Sequence, residues 1–412
     1  MYTDVGNRNG DGTSMISRKI LMMEEDSKIW MFLMEDDEIV EIHCEPADTS
    51  RTTRHVLGNI YVGKVKNIVA NIGAAFIEIE SGVECYYDMS QAANAVFTHK
   101  IGKKPLCIGD ELVVQISKEA VKTKVPTVSS NLSFTGRYAI LTTGNTRIGT
   151  SGKLPKSVRE DLKERLKPLK NEEYGLIIRT NAKDADFSAV LKEIKELEEN
   201  YYELRKNAGT RTCFSCLLQA PPAYITDLKN VYTEGLTEIV IEGQKLYEQV
   251  RDYYEKEQPE DLDKLRCYTN ADLPLSKLYS TKTVLDRALG QRVWLKNGAY
   301  LVIQYTEALT VIDVNSGKCI AKKNPTDTYL KINLEAAKEV AKQMRLRNLS
   351  GIVIVDFINL DDEEAEKELL KALRQFLAKD PIQSTLVDVT GLQLVELTRK
   401  KVRRPLHESL AE

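Results

Sequence analysis

The sequence predicts a multidomain α/β chain that carries a small antiparallel β-barrel. Three observations predict it. Segments of helical period alternate with short apolar runs in residues 158–207 and again in 309–356, the mark of an α/β layer. Ahead of them, GNIYVGKVKNIVANIGAAFIEIES at 58–81 alternates apolar and polar residues in runs broken by Gly and Asn, and DELVVQISKE continues it at 110–119, as expected of a small barrel. Finally, 412 residues with 42% hydrophobic content allow two to four domains with large cores.

Each element follows in order. Residues 1–14, rich in Gly, Asn, Asp and Thr without apolar period, read as a disordered leader. They lack the apolar core of a signal peptide, and no run approaches the roughly 18 apolar residues of a membrane span, so the default location is cytoplasmic. From Ile16 to about Glu45, MFLMEDDEIVEIHC suggests a hairpin turning at the acidic EDD. The barrel's outward positions include Tyr61, Lys64, Lys66, Phe76 and Tyr86, aromatics interleaved with lysines, a surface suited to single-stranded nucleic acid. The alternative is that the aromatics fill the barrel core. VREDLKERLKPL and SAVLKEIKELEENYYELRKN are helical and flank YGLIIRTNA at 174–182, a strand ending in Arg179 and Thr180. A guanidinium beside a hydroxyl suits a terminal phosphate; a surface ion pair is the plainer reading.

Charge and thiols narrow the function classes. With 58 Lys and Arg against 61 Asp and Glu, the chain is no general polycation, so a polyanion must be met by local patches such as Arg399, Lys400, Lys401, Arg403 and Arg404. That run can equally be a solvated helix face. The seven scattered cysteines read as reduced thiols. Cys213 and Cys216 form a CxxC without the second ligand pair that a closed zinc site needs. None of the four histidines stands beside the acidic strands described next, which argues against catalysis by paired histidines.

Two apolar strands end in aspartate. TVIDVNSGK at 310–318 carries Asp313 and Asn315, and GIVIVDFIN at 351–359 carries Asp356. Between them Asn324 can cap a helix, Pro325 fits its first position and Asp327 its first turn, with Leu334, Ala337, Val340, Ala341 and Met344 recurring at helical spacing. Strand, crossover helix and strand predict a parallel pair, which brings Asp313 and Asp356 to one crevice. Two close carboxylates call for a cation, and a hard divalent ion such as Mg²⁺ is the natural one. Asn315, on the same face, can orient a carboxylate or a water. Acids at strand ends can also be simple turn residues.

These blocks carry a resemblance. EALTVIDVNSGK, NLEAAKEVAKQMRLRNLSGIVIVDFI and ELTRKKVRRPL resemble the catalytic region of the bacterial ribonuclease E/G family. NIYVGKVKNI with GAAFIEI is similar to its S1-type RNA-binding barrel, LIIRT to its 5′-sensor, and YTNADLPL with VWLKNGAYLVI to the lead into its catalytic subdomain. The resemblance is collinear from about residue 16 to 410. It implies an α/β multidomain (α+β) fold: an RNase H-like subdomain split over 15–51 and 226–288, an S1-type OB barrel at 52–129, a 5′-sensor at 130–225 and a deoxyribonuclease-I-like catalytic subdomain at 289–412. It also implies an endoribonuclease of rRNA and mRNA processing and decay. Asp313 and Asp356 would hold Mg²⁺, with Mn²⁺ as the alternative ion, Asn315 would hydrogen-bond in that site, and water would cut RNA to leave 5′-phosphate and 3′-hydroxyl ends. Phe76, Tyr86 and Lys124 would contact single-stranded RNA, and Arg179 and Thr180 a 5′-monophosphate.

The sequence departs from the family pattern at several points. Tyr86 stands where Phe is usual, the glycine after Lys124 is missing, NAKDAD replaces a glycine-containing turn after LIIRT, and Gln304 and Asn359 replace acids. No CPxC follows the catalytic block, so a compact ribonuclease G-like member is expected, without zinc or a zinc-linked tetramer, and with a homodimer still open. A catalytically weakened RNA-binding maturation or assembly factor of the same fold is the alternative.

Overall fold

The computed structural model describes residues 16–47, 55–120, 125–231, 235–317 and 325–410. It forms two compact units, one of residues 1–47 with 234–412 and one of 48–233. The architecture is mixed α/β with a closed five-stranded barrel and several further sheets. The sequence placed boundaries at 51/52 and 225/226; the units part at 47/48 and 233/234. No helix among the described residues is long and apolar enough to cross a membrane.

The unit of 48–233 holds the barrel. Strand Ile60–Val69 pairs with both Ala74–Glu80 and Glu111–Lys118, and Val83–Asp88 and Thr127–Ser129 complete the circuit. Alternate residues fill the interior, among them Ile77, Ile79, Cys85, Tyr87, Val114 and Ile116. Gly63 admits this packing, since a Cβ there would meet Ile77 Cγ2 at 2.5 Å. Tyr61, expected outside, is 5% exposed and belongs to this core, its hydroxyl receiving a bond from Asn59 Nδ2 at 3.1 Å. Tyr61 points into the barrel with Val65, while its neighbour Ile60 faces outward into the adjoining α/β core.

That α/β layer is a four-stranded sheet in the order Ser133–Thr135, Ala139–Thr142, Gly175–Ile178, Ile148–Thr150. Helix Phe187–Ala208 starts where Asp186 accepts a bond from Ser188 N–H and buries Val190, Ile194, Leu197, Tyr201, Leu204 and Ala208 at helical spacing. Glu193, on the same helix, accepts from the backbone N–H groups of Arg137, Tyr138 and Ala139, pinning the turn before Arg179's neighbouring strand.

In the other unit, the expected hairpin exists as Lys28–Glu35 and Glu38–Pro46, turning at Asp36 with φ 52°. Strand Arg18–Glu25 precedes it and pairs in parallel with Leu236–Glu242, giving a five-stranded sheet with Leu265–Tyr268 at its edge. A second sheet has six strands, in the order Arg292–Trp294, Tyr300–Tyr305, Leu309–Asn315, Gly351–Asp356, Leu394–Arg399, Ser384–Val389. Helix Pro325–Leu346 is the crossover between the two parallel central strands. Ala337, Val340 and Met344 are buried against the sheet, and Leu334 and Ala341 flank them. Asn324 lies outside the described residues, while Asp327 falls in the first turn. Arg345 fixes the helix end to the first sheet, bonding Glu41 at 2.7 Å and Glu35 at 3.0 Å. Burial works against these carboxylates, but Arg345 and His43 outweigh it and hold both below the usual range.

Candidate active site

Cross-strand register builds the site. Asp313 and Asp356 are direct partners in the parallel ladder, one strand spacing of about 4.8 Å apart. Both side chains are exposed, whereas their sequence neighbours Ile312, Val314 and Val355 point through the sheet into the core. The expected meeting of the two acids is therefore present. Asn315 shares their face and donates from Nδ2 to Asp313 Oδ2 at 2.6 Å, fixing that carboxylate and leaving its other oxygen to a cation or water. Among the described residues no three or more His, Cys, Asp and Glu side chains converge. An oxygen set of two carboxylates suits an ion that keeps several waters and takes phosphate oxygens from a substrate.

Asn333 is a residue of the site that the sequence analysis does not single out. Fully buried on the crossover helix, it donates from Nδ2 to Ile358 O at 2.7 Å and accepts from Ile358 N–H at 3.1 Å, clamping the backbone two residues past Asp356. Its signal was an amide at core spacing, four before Ala337 and seven before Val340. Asn333→Ala should strand both backbone groups, lower stability by about 1–3 kcal/mol and depress turnover more than RNA binding. Unchanged melting and turnover would show the clamp to be idle.

Gln304 is exposed on the same sheet face as Asp313, paired with Val311, and Asn359 is exposed just beyond the clamp. Gly317, with φ 60°, ends the strand turn against the backbone of Gly298, where a Cβ would meet Gly298 O at 2.4 Å.

The other expected residues lie as follows. In the barrel, Phe76 and Tyr86 are cross-strand partners, half-exposed, with ring centroids 6.4 Å apart and planes at 87°. Lys64 and Lys66 on the neighbouring strand reach Glu111 at 3.7 Å and Glu78 at 3.1 Å. Lys124 lies outside the described residues. Arg179 and Thr180 follow the strand Gly175–Ile178, both half-buried. Arg179 donates to Gly136 O at 2.5 Å and to Asn230 Oδ1 at 2.6 Å, and Thr180 Oγ1 meets Ser151 Oγ at 3.1 Å. These contacts aim the guanidinium, which carries five N–H donors in all.

Arg399 corrects an expectation. It sits an odd number of residues from Leu394, the ladder partner of Asp356, so it faces away from the acids; it is 2% exposed and bonds Asp380 at 2.7 Å. It holds the fold rather than a phosphate. Lys400, one residue on, is exposed. Cys213 and Cys216 are free thiols, and burial pushes both up, away from the thiolate that binds metal.

The chain is thus a mixed α/β protein with a closed barrel and a parallel strand pair that presents two carboxylates. The profile described as Ribonuclease E/G family matches residues 133–402. Ribonuclease G of Escherichia coli (strain K12) is 30% identical over 90% of this chain and 77% of its own length. Ribonuclease G of Haemophilus influenzae is 28% identical over 96% of the chain and 82% of its own, and ribonuclease E of Synechocystis sp. 31% identical over 85% and 53%. The chain belongs to the ribonuclease E/G family, and it is an endoribonuclease.

Proposed function

We propose that this chain cuts single-stranded RNA by hydrolysis at Asp313 and Asp356, in the processing and decay of rRNA and mRNA in the cytoplasm, leaving 5′-phosphate and 3′-hydroxyl ends. The observation that carries the reading is the direct register of those two exposed carboxylates with Asn315 bonded to one of them. A Mg²⁺ ion, or Mn²⁺ in its stead, held by the two carboxylates would polarise a phosphoryl oxygen and lower the pKa of a bound water. Asp313 and Asp356 would position the scissile phosphate only by way of that cation, since bare carboxylates repel a phosphodiester. Asn315 keeps Asp313 in one orientation, and the Asn333 clamp does the same for the backbone after Asp356. Water forms the new bond to phosphorus in line with the P–O3′ bond that breaks, and the 3′ oxygen leaves as a hydroxyl.

The segments take roles in this reading. Residues 52–129 serve as an S1-type barrel whose Phe76 and Tyr86 stack on bases, with Lys124 and Lys400 on phosphates. Residues 130–225 serve as a 5′-sensor, with Arg179 and Thr180 receiving a 5′-monophosphate, 15–51 with 226–288 as an RNase H-like scaffold, and 289–412 as the deoxyribonuclease-I-like catalytic part. Gln304 and Asn359, amides at the rim of the site, favour a second reading: an RNA-binding maturation or assembly factor with weakened cleavage.

One assay separates the two. A labelled single-stranded RNA bearing a 5′-monophosphate or a 5′-hydroxyl is incubated with wild type and Arg179→Ala, in Mg²⁺ and in EDTA. Metal-dependent cutting to 5′-phosphorylated products is expected, with the monophosphate preference lost in Arg179→Ala. Tight binding without cutting would select the second reading, and an unchanged end preference would remove Arg179 from the sensor.

A further inference from the structure

The sheet face that presents the two acids also carries an aromatic and cationic group that the reading above does not use. Across that face one row reads Arg292, Val302, Asp313, Asp356, Leu394, and the next row Trp294, Tyr300, Asn315, each member the direct cross-strand partner of the one beside it. Direct partners share a face. Tyr300 therefore stands one strand from Asn315, and Trp294 two strands away, about 10 Å at the ordinary strand spacing.

The three outer side chains are assembled as a unit. Trp294 and Tyr300 have ring centroids 5.0 Å apart with planes at 54°, and the Arg292 guanidinium lies 4.6 Å from the Tyr300 centroid and 5.7 Å from that of Trp294. Trp294 is 63% exposed, although a side chain of this size on a short edge strand could gain by burial. Arg292 enters no ion pair among the described residues. An open indole backed by a guanidinium is the composition that stacks a nucleobase and meets its phosphate, and it lies in line with the acids.

We infer that Trp294, Tyr300 and Arg292 form a stacking shelf for the base of one nucleotide beside the scissile phosphate, with Arg292 receiving the adjoining phosphate. The shelf positions single-stranded RNA over Asp313 and Asp356, and the inference rests on those two residues being the cleavage centre. A cation there also offsets the repulsion that two carboxylates exert on an incoming phosphodiester. Because every base has a π-face, the shelf tolerates any sequence and favours the larger purines.

The test uses one RNA with a single cut site and a series in which each nucleotide near the cut is made abasic in turn. In the wild type, kcat/KM should fall about 5- to 100-fold at one position, the range of a single base-stacking contact. Trp294→Ala should lose a similar factor on intact RNA and become indifferent to that abasic position, whereas Trp294→Phe should keep both the rate and the sensitivity. Losses that simply multiply at every position, or a Trp294→Ala enzyme as fast as wild type, would overturn the shelf. Should Trp294→Ala melt early, 2-aminopurine at the sensitive nucleotide reads the wild type directly: quenching on binding in EDTA is expected, and undiminished fluorescence overturns the inference. Asp313→Asn runs in parallel. If it cuts normally, the cleavage centre lies elsewhere; if it is inert while Trp294→Ala is normal, only the shelf fails.

Discussion

Asp313→Asn is expected to slow RNA cleavage by about a thousandfold or more while RNA binding in EDTA changes less than about threefold. The substitution keeps size and shape, so the strand, its ladder and the core behind it are undisturbed. What changes is charge: the pair facing the crevice falls from two carboxylates to one, and hold on a divalent ion with it. Loss of several kcal/mol of transition-state stabilisation corresponds to a rate factor of that order. Binding is spared because stacking and phosphate contacts do not use this group. The variant should melt at or slightly above the wild-type temperature, since two close carboxylates repel each other in the metal-free protein and the substitution relieves that. Single-turnover cleavage and a thermal melt check both halves. A variant that cuts at the wild-type rate would sink the assignment of Asp313.

The same parity that makes this site readable explains where sequence reasoning failed. Asp313, Asn315 and Asp356 are legible because two β-branched runs each end in an acid and a long helical segment joins them, which dictates parallel strands and a shared face. Arg399 was misread for the converse reason. In LVELTR the buried positions are Val395, Leu397 and Arg399, and only the following run of positive charges made the arginine resemble a surface residue. Tyr61 failed differently: it stands three residues before Lys64 and so has the opposite parity, pointing into the barrel core while the lysines face out. Non-local pairings were not legible at all. Nothing in ILMMEE announces that Leu21 will sit beside Val240 in a parallel ladder, since the partner is more than two hundred residues away and both runs are simply apolar. The aromatic pair of Trp294 and Tyr300 likewise emerges only once the hairpin register is known.

Arg399→Ala should destabilise its unit by about 3–5 kcal/mol, the usual consequence of deleting one member of a buried ion pair. The side chains of Arg399 and Asp380 are 1% and 5% exposed. Arg399 Nε donates to Asp380 Oδ2 at 2.7 Å, and its Nη1 donates to Asn348 Oδ1 at 2.6 Å and Leu349 O at 3.2 Å. Asp380 accepts in turn from Ile382 N–H and Ser384 Oγ, each at 2.9 Å. One guanidinium thus joins the turn after helix Glu363–Leu377, the approach to the edge strand Ser384–Val389 and the bend at Asn348, with φ 50°, that launches the Asp356 strand. Alanine would leave the Asp380 carboxylate buried and uncompensated. Replacing both partners by apolar residues, Arg399→Met with Asp380→Leu, should cost much less, because no orphaned charge remains. Urea melts of the two single variants and the pair measure this directly. RNA affinity separates a structural arginine from a phosphate contact: Lys400→Ala, at an exposed position, should weaken binding and reduce the salt slope by about one, while folded Arg399→Ala should leave that slope unchanged. Wild-type stability with a reduced slope in Arg399→Ala would return that residue to the RNA surface.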